Sequence, residues 1–398
     1  MFVLNGQVFY DRRFQALDLR ILEGKIAEVR PRGAFASPEM AELVLAYPGE
    51  ELVDAQGLLV LPGLTDIHTH GAVRADFSDG DLEGLRRIQA YQAGVGVTQF
   101  CPTSMTLGLD RLGQIFQGLA DLKDLKVEDE ASQGAEILGI HMEGPYVSPA
   151  KLGAQNPAYV AQALYEDFAR LAELSGHRIS LVSLAPEMPG ALDFIRQAAG
   201  ETLVSVAHTQ ANYDQTLAAF EAGARHLTHM FNAMPGLHHR EPGPIAAARD
   251  WPDVTVELIG DGVHIHPAMV RLAFALFPGR VCLVSDSMRA TGLAAGEYDL
   301  GGQKVWVQGK EARLAQGALA GSVTNLADVL RGVYAMGVPL EEAIYAATAC
   351  PAQAIGQGQL YGSLTPGAYA NFILADQALD FQTVYIRGLK QRPWSEAY

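Results

Sequence analysis

Eight short apolar runs occur in the middle of the chain, and longer segments with helix-like patterning separate them. Each run is apolar and β-rich at its start, and most become polar at the C-terminal end. Apolar runs of this length are typical of parallel strands that are buried on both faces. The runs are LPGLTDIHTH, VGVTQFCPTS, AEILGIHMEGP, ISLVSLAPE, LVSVAHTQ, HLTHMFNAM, VTVELIGDGVH and VCLVSDSM.

Eight strand–helix units predict an α/β fold, a closed (β/α)₈ TIM-like barrel with its active site at the C-terminal ends of the strands. The alternative is an open, doubly wound sheet. The repeated polar strand ends favour the barrel. No GxGxxG motif follows the first run, which also weakens the open-sheet alternative.

Both ends of the chain have a different pattern. ALDLRILEGKIAEVRP alternates apolar and polar positions around Glu23-Gly24-Lys25, which predicts a hairpin, and GSLTPGAYANFILAD and FQTVYIRG near the C-terminus look similar. We therefore predict a small β-sandwich domain from residues 1–56 and 356–398, with the barrel at 57–355. The segment from Ala295 to Gly321 is predicted to be an inserted hairpin or meander.

Composition and charge restrict the possible partners. A length of 398 residues fits a barrel of about 250 residues plus a smaller module. The formal charge of -16 disfavours binding to nucleic acid or to anionic membranes, and an anionic substrate would need local cations. Three dispersed cysteines, no secretory signal and no long apolar run predict a cytoplasmic protein with reduced thiols.

Metal-ligand side chains recur at the ends of four runs. His68 and His70 end the first run, and Glu143, His208 and His229 end three others. Because alternate residues of a strand face the same side, His68 and His70 both point into the barrel mouth. Any one of these residues alone is more often structural, but together they predict a site for Zn²⁺ or Fe²⁺ rather than Mg²⁺.

Two further groups of residues carry candidate chemistry. Asp286 ends an apolar run, where an isolated carboxylate is costly to bury, so it is either an acid/base beside the metal or a cap. Asn232, Ala233, Arg240 and His264 follow the sixth and seventh runs, and such groups commonly bind phosphate. The alternative for Arg240 is a surface ion pair with an acid such as Glu241.

Several motifs resemble a known family. LPGLTDIHTHG resembles the first-strand signature of the amidohydrolase superfamily. HMEGPY, KLGAQNP, VAHTQA, HLTHMFNAMPGLHHREPG, IGDGVHIHP and LVSDSMRATG resemble N-acetylglucosamine-6-phosphate deacetylases, and GALAGSVTNLADVLR and GSLTPGAYANFILAD extend the resemblance to the C-terminus. This combination is specific, whereas His-x-His alone is shared with dihydroorotases and hydantoinases.

The resemblance implies one or two Zn or Fe ions per subunit, with Asp286 as the general acid/base. It also implies a homodimer in which Arg240 reaches the phosphate of the neighbouring subunit. Gln155, at a position where many relatives have His, would meet the sugar or its acetamide. The implied first metal site is Glu143, His208 and His229, the second is His68 and His70, and the implied phosphate site is Asn232, Ala233 and His264.

The implied reaction is deacetylation of N-acetylglucosamine 6-phosphate by metal-bound hydroxide, which gives glucosamine 6-phosphate and acetate. Another N-acetylhexosamine 6-phosphate, or a cyclic amide, is the nearest alternative substrate. A non-enzymatic assembly scaffold and a regulatory sugar-phosphate binder are alternatives from other functional classes.

Overall fold

The computed structural model describes residues 1–36, 51–120 and 133–394. All eight predicted runs form strands, and successive strands pair in parallel in chain order. The predicted barrel is therefore confirmed. Its strands, numbered one to eight below, are Leu64–Thr69, Val97–Ser104, Ile140–Glu143, Ile179–Leu184, Leu203–Val206, His226–Leu227, Thr255–Ile259 and Val281–Val284.

The barrel closes between its eighth and first strands. The backbone N–H of Asp286 donates to the carbonyl of His68 at 2.9 Å, and that of His70 donates to Ser287 at 2.9 Å. Lower in the barrel, the Ser285 hydroxyl donates to the buried carboxylate of Asp66. Closure therefore places the candidate acid/base residue beside two candidate metal ligands.

Most of the helices follow barrel strands. Local signals fix where they begin: Asn212 and Gln215 cap each other reciprocally at the start of Tyr213–Ala222, as a capping box does. The helices are Leu82–Gly94, Leu109–Ala120, Tyr165–Leu174, Ala191–Ala198, Tyr213–Ala222, Gly243–Asp250, Pro267–Leu276, Leu326–Ala335, Leu340–Ala347 and Ala349–Ala354, with 3-10 turns at Ala34–Ala36, Phe77–Asp79 and Pro157–Tyr159.

The chain ends form one curled sheet with its own apolar core, as predicted. The predicted hairpin is present, and its turn is formed by Glu23 and Gly24. Their φ angles of 50° and 71° suit a two-residue type I′ turn. The strands are Phe2–Leu4, Gln7–Tyr10, Arg13–Leu22, Lys25–Pro31, Leu52–Asp54, Leu59–Pro62, Phe372–Ala375, Phe381–Ile386 and Leu389–Lys390.

The division of the chain at residues 56/57 and 355/356 stays a prediction. The strand Leu59–Pro62 pairs within the curled sheet, next to Gln7–Tyr10 and Phe372–Ala375. Residues 37–50 and 395–398 of the predicted small domain, and 121–132 of the predicted barrel, lie outside the described residues.

A three-stranded antiparallel meander covers one side of the barrel mouth, where the sequence predicts an insertion. Its residue Gln303 donates to the carbonyl of Ala154 at 2.6 Å, which joins it to the loop after the third barrel strand. Arg289 pairs with Asp79 at 2.8 Å and with Asp299 at 3.6 Å, which ties the meander to two barrel loops. The meander strands are Gly296–Leu300, Gln303–Gln308 and Glu311–Leu314, and short strands lie at Gly71–Ala72, Ala75–Asp76 and Glu136–Ile137.

Two further features bear on the sequence predictions. Cys101, Cys282 and Cys350 are buried free thiols. Among the helices in the three described ranges, none is both long enough and apolar enough to cross a bilayer.

Candidate metal centre and substrate cavity

A cavity of about 230 Å³ opens at the C-terminal ends of the barrel strands. Most of the residues that the sequence singles out meet there. His68 is buried below the cavity wall, beside His70. The predicted site residues that line the cavity are His70, Glu143, Gln155, His208, His229, Asn232, Ala233, His264 and Asp286.

Three side chains converge on one point to form the first ligand set. The Oε1 atom of Glu143 lies 3.1 Å from His208 Nε2 and 3.0 Å from His229 Nε2. The two Nε2 atoms are 3.1 Å apart. Separations of this size suit donors that share one ion with bonds of about 2.0–2.2 Å. The family resemblance groups the same three residues as the main metal site, and that role stays a prediction.

The hydrogen bond of His208 to the backbone orients its ring for a cation at this point. Its Nδ1 lies 2.9 Å from the carbonyl of Lys151, so Nδ1 carries the proton that is donated there. In the neutral ring, Nε2 then presents a lone pair to His229. Two donor nitrogens and a carboxylate at this spacing fit a divalent metal, which turns their mutual repulsion into coordination.

A second ligand set lies alongside the first. His68 Nε2 is 3.5 Å from Asp286 Oδ1, and His70 Nε2 is 3.3 Å from the same oxygen. The His68 Nε2 atom is buried without a hydrogen bond, as a nitrogen reserved for a metal would be. Glu143 lies 3.5 Å from His68 Nε2 and 3.4 Å from His70 Nε2, so its carboxylate is shared between the sets.

The buried carboxylates and imidazoles of the centre shift one another's pKa. Burial raises the pKa of Glu143, but the charge of His68 and hydrogen bonds from other imidazoles outweigh it and hold the pKa well below the ordinary value. Burial likewise opposes a lowered pKa at Asp286, which the charges of His68 and His70 produce. Against burial, these two carboxylates raise the pKa of His70 to about 10. A bound metal would therefore replace a proton at the imidazoles.

Three of these residues have strained backbones. His208, His229 and Asp286 have φ angles of 43°, 30° and 47°, in the left-handed region that residues other than glycine rarely occupy. Strain of this kind persists where surrounding contacts fix the conformation, and it concentrates at functional sites. Here it follows the barrel strands directly, where each side chain must turn into the mouth.

Glu257, on the seventh strand, is a functional residue that the sequence reasoning missed. It is fully buried and lies 2.8 Å from His68 Nδ1 and 3.2 Å from His226 Nε2. It also accepts the backbone N–H of His229 at 3.0 Å. The sequence does contain a signal for Glu257: it is a carboxylate within the apolar run VTVELIG, just as Asp286 is a carboxylate at the end of an apolar run. Carboxylates in this position fix the orientation of a metal-binding histidine.

Gln155 lines the cavity and hydrogen-bonds to a residue of the candidate metal centre. Its Nε2 donates to Glu143 Oε2 at 2.6 Å, and its Oε1 accepts the backbone N–H of Thr106 at 2.7 Å. The side chain therefore fixes the second oxygen of Glu143. The predicted contact of Gln155 with a sugar stays a prediction.

The candidate phosphate residues are split between two cavities. Asn232, Ala233 and His264 line the metal-containing cavity. Arg240 lines a separate surface cavity of about 750 Å³, and it donates to His239 Nε2 at 2.7 Å. Within one subunit, the described residues that line the metal cavity include neither lysine nor arginine.

Comparison with known proteins shows which family the chain resembles. The amidohydrolase family model matches residues 59–392. An N-acetylgalactosamine-6-phosphate deacetylase of Escherichia coli is 34% identical over 93% of each chain. An N-acetylglucosamine-6-phosphate deacetylase of Bacillus subtilis is 40% identical over 67% of this chain and 68% of its own. The structure of the Mycobacterium smegmatis N-acetyl-D-glucosamine-6-phosphate deacetylase superposes with a TM-score of 0.87, at 31% identity over 98% of each chain.

Glu257→Gln tests the support of His68. The substitution keeps the shape of the side chain but removes the charge that holds the Nδ1 proton. We expect the affinity of the second ligand set for metal to fall about 10- to 100-fold. Elemental analysis after dialysis against graded chelator concentrations measures the loss.

Asp261→Asn is the matched control for this experiment. Asp261 hydrogen-bonds to His264, which lines the same cavity but lies outside both ligand sets. The metal content of the Asp261→Asn protein should therefore match that of the parent. Equal metal retention in Glu257→Gln and in the parent would contradict the role of Glu257.

Proposed function

Because this chain belongs to the amidohydrolase family, among the N-acetylglucosamine-6-phosphate deacetylases, we propose that it hydrolyses the 2-acetamido group of N-acetylglucosamine 6-phosphate. The products are glucosamine 6-phosphate and acetate. The observation that carries the proposal is the convergence of two buried ligand sets on Glu143, in the wall of a cavity of small-molecule size.

Glu143, His208 and His229 would hold the main divalent metal, and His68 and His70 would hold a second ion. Imidazole-rich sets with one carboxylate favour Zn or Fe. When bound, the metal acts as a Lewis acid that polarises the acetamide carbonyl and lowers the pKa of water. Gln155 supports this centre, because it fixes the orientation of Glu143 through a 2.6 Å hydrogen bond.

Asp286 would move the proton during the reaction. Its carboxylate is ionised and lines the cavity, so it can accept a proton from the attacking water. It then returns the proton to the nitrogen of the leaving amine, which would otherwise depart as an unstable anion. The backbone N–H of Asp286 donates to the carbonyl of His68, and this hydrogen bond holds Asp286 in position between the first and eighth strands.

Asn232, Ala233 and His264 would bind the 6-phosphate. They line the same cavity as the ligand sets, and their polar groups suit an anion. In a homodimer, Arg240 of the neighbouring subunit would complete the site, because Arg240 lies outside the metal cavity of its own subunit. A cytoplasmic location, as expected from the sequence, stays a prediction.

A substrate panel with released acetate as the readout tests the proposed activity. We expect N-acetylglucosamine 6-phosphate to give the highest kcat/KM, and unphosphorylated N-acetylglucosamine to be at least about tenfold poorer because it lacks charged hydrogen bonds to the phosphate. N-acetylgalactosamine 6-phosphate is included because one relative bears that name. A preference for a cyclic amide, measured by ring opening, would refute the proposal.

Asp286→Asn separates proton transfer from metal binding. The amide keeps the shape of the side chain but cannot take a proton, so we expect kcat to fall by about 10²- to 10⁴-fold. Elemental analysis should still find bound metal, because Asp286 lies outside the set formed by Glu143, His208 and His229. Near-normal acetate release by this variant would eliminate Asp286 as the acid/base.

Arg240→Ala tests whether a neighbouring subunit supplies a cation. We expect KM for the phosphorylated substrate to rise about tenfold with kcat little changed, since a charged hydrogen bond to phosphate is lost. Arg249→Ala, an exposed arginine on the next helix, is the matched control and should behave like the parent.

Mixing subunits of Arg240→Ala and Asp286→Asn extends this test. A mixed dimer has one site with both native residues only if Arg240 acts across the interface. Restored low-KM activity after subunit exchange is the expected result. If exchanged dimers, verified by mass, show no low-KM activity, Arg240 does not act in the neighbouring subunit.

A further inference from the structure

His264 is the imidazole in the cavity that remains available to bind the phosphate. The other histidines that line it are His70, His208 and His229, which belong to the ligand sets. The described lining residues of the subunit include no lysine or arginine. Among the described lining residues outside the ligand sets, His264 is therefore the side chain that can carry positive charge toward the phosphate.

Asp261 fixes the position of His264 through hydrogen bonds that both of its carboxylate oxygens accept. One oxygen, Oδ1, accepts the backbone N–H groups of Val263 and His264, both at 2.9 Å. The other oxygen, Oδ2, lies 2.8 Å from His264 Nδ1. Both side chains are nearly buried, with 4% of Asp261 and 6% of His264 exposed. Gly262 between them has a φ of 76°, which allows the tight turn that brings them together.

The bond to Asp261 decides what His264 presents to the cavity. Because Nδ1 donates its proton to the carboxylate, a neutral ring would expose a bare lone pair at Nε2. A lone pair repels phosphate oxygens. Only the doubly protonated ring can donate a hydrogen bond from Nε2 to an anion, and such charged bonds are roughly twice as strong as neutral ones.

Charged groups on three elements act on His264. Burial favours the neutral ring, and so does the charge of Arg313 on the meander. The hydrogen bond and charge of Asp261 oppose this, together with the charge of Asp286 after the eighth strand, and the net result is a raised pKa of His264. The second proton is therefore favoured mainly by Asp261.

We propose that Asp261 is a positioning residue which keeps His264 doubly protonated, so that the imidazolium recognises the phosphate of the substrate. This inference rests on the proposed function, because it concerns how the phosphate of the proposed substrate is bound in the same cavity. Asp261 touches neither substrate nor metal in this scheme and acts through His264.

The protonation of His264 can be measured without any substrate. In Zn-loaded protein labelled with ¹⁵N-histidine, His264→Gln identifies the resonances of His264, and a pH titration gives its pKa. We expect Asp261→Asn to lower this pKa, and Arg313→Gln to raise it or leave it unchanged. An unchanged pKa in Asp261→Asn would overturn the proposal. Inorganic phosphate should shift the His264 resonance in the parent and much less in Asp261→Asn.

Kinetics test the consequence for recognition. Asp261→Asn should raise KM for N-acetylglucosamine 6-phosphate about 10- to 100-fold, with kcat close to that of the parent. The KM for unphosphorylated N-acetylglucosamine should not change. Lower pH should restore a low KM in the variant, because acid protonates His264 without help from Asp261.

The outcomes separate this inference from the proposed function. A merely structural role of Asp261 would lower kcat or the unfolding temperature and would not respond to acid, which would refute the positioning role. If the parent fails to release acetate from the phosphorylated sugar, the proposed function fails. The titration and the phosphate-induced shift would still decide whether Asp261 controls the charge of His264.

Discussion

Glu143 is an almost fully buried carboxylate that stays ionised, and the barrel mouth is organised around it. An uncompensated buried charge costs several kcal/mol. Here His208 and His229 lie 3.1 and 3.0 Å from one oxygen, and Gln155 donates to the other at 2.6 Å. These partners come from the fifth strand, the sixth strand and the loop after the third. The charge is therefore stabilised only when the third, fifth and sixth strands have come together in the barrel.

Three of the four candidate histidine ligands are held in orientation by fixed acceptors at Nδ1. His68 Nδ1 faces Glu257, His70 Nδ1 faces the carbonyl of Thr103, and His208 Nδ1 faces the carbonyl of Lys151. Each contact directs the Nε2 atom of its ring toward the centre. Rigid support of this kind keeps ligand atoms in place without a metal, and its members matter for affinity nearly as much as the ligands.

The sequence alone predicts the strands and most of the centre, because their signals are local. Apolar runs with polar ends identify all eight barrel strands, and residues two apart, such as His68 and His70, share a face. Contacts that cross the barrel carry no local signal. Neither the bond from Gln155 to Glu143 nor the position of Arg240 outside the cavity can be read from spacing. The left-handed backbone conformation of His208 and Asp286 cannot be predicted from the sequence either, since neither position is a glycine.

Hydrogen bonds at Nδ1 serve opposite purposes in the metal centre and at His264. In the metal centre, Nδ1 of a histidine donates to a fixed acceptor, and the Nε2 lone pair faces other donors that together suit a cation. At His264, Nδ1 donates to Asp261, but His264 belongs to neither ligand set. A proton on Nε2 then takes the place that a metal would occupy, and the ring attracts an anion. A chain with a formal charge of -16 can in this way offer a local positive group to a phosphorylated substrate.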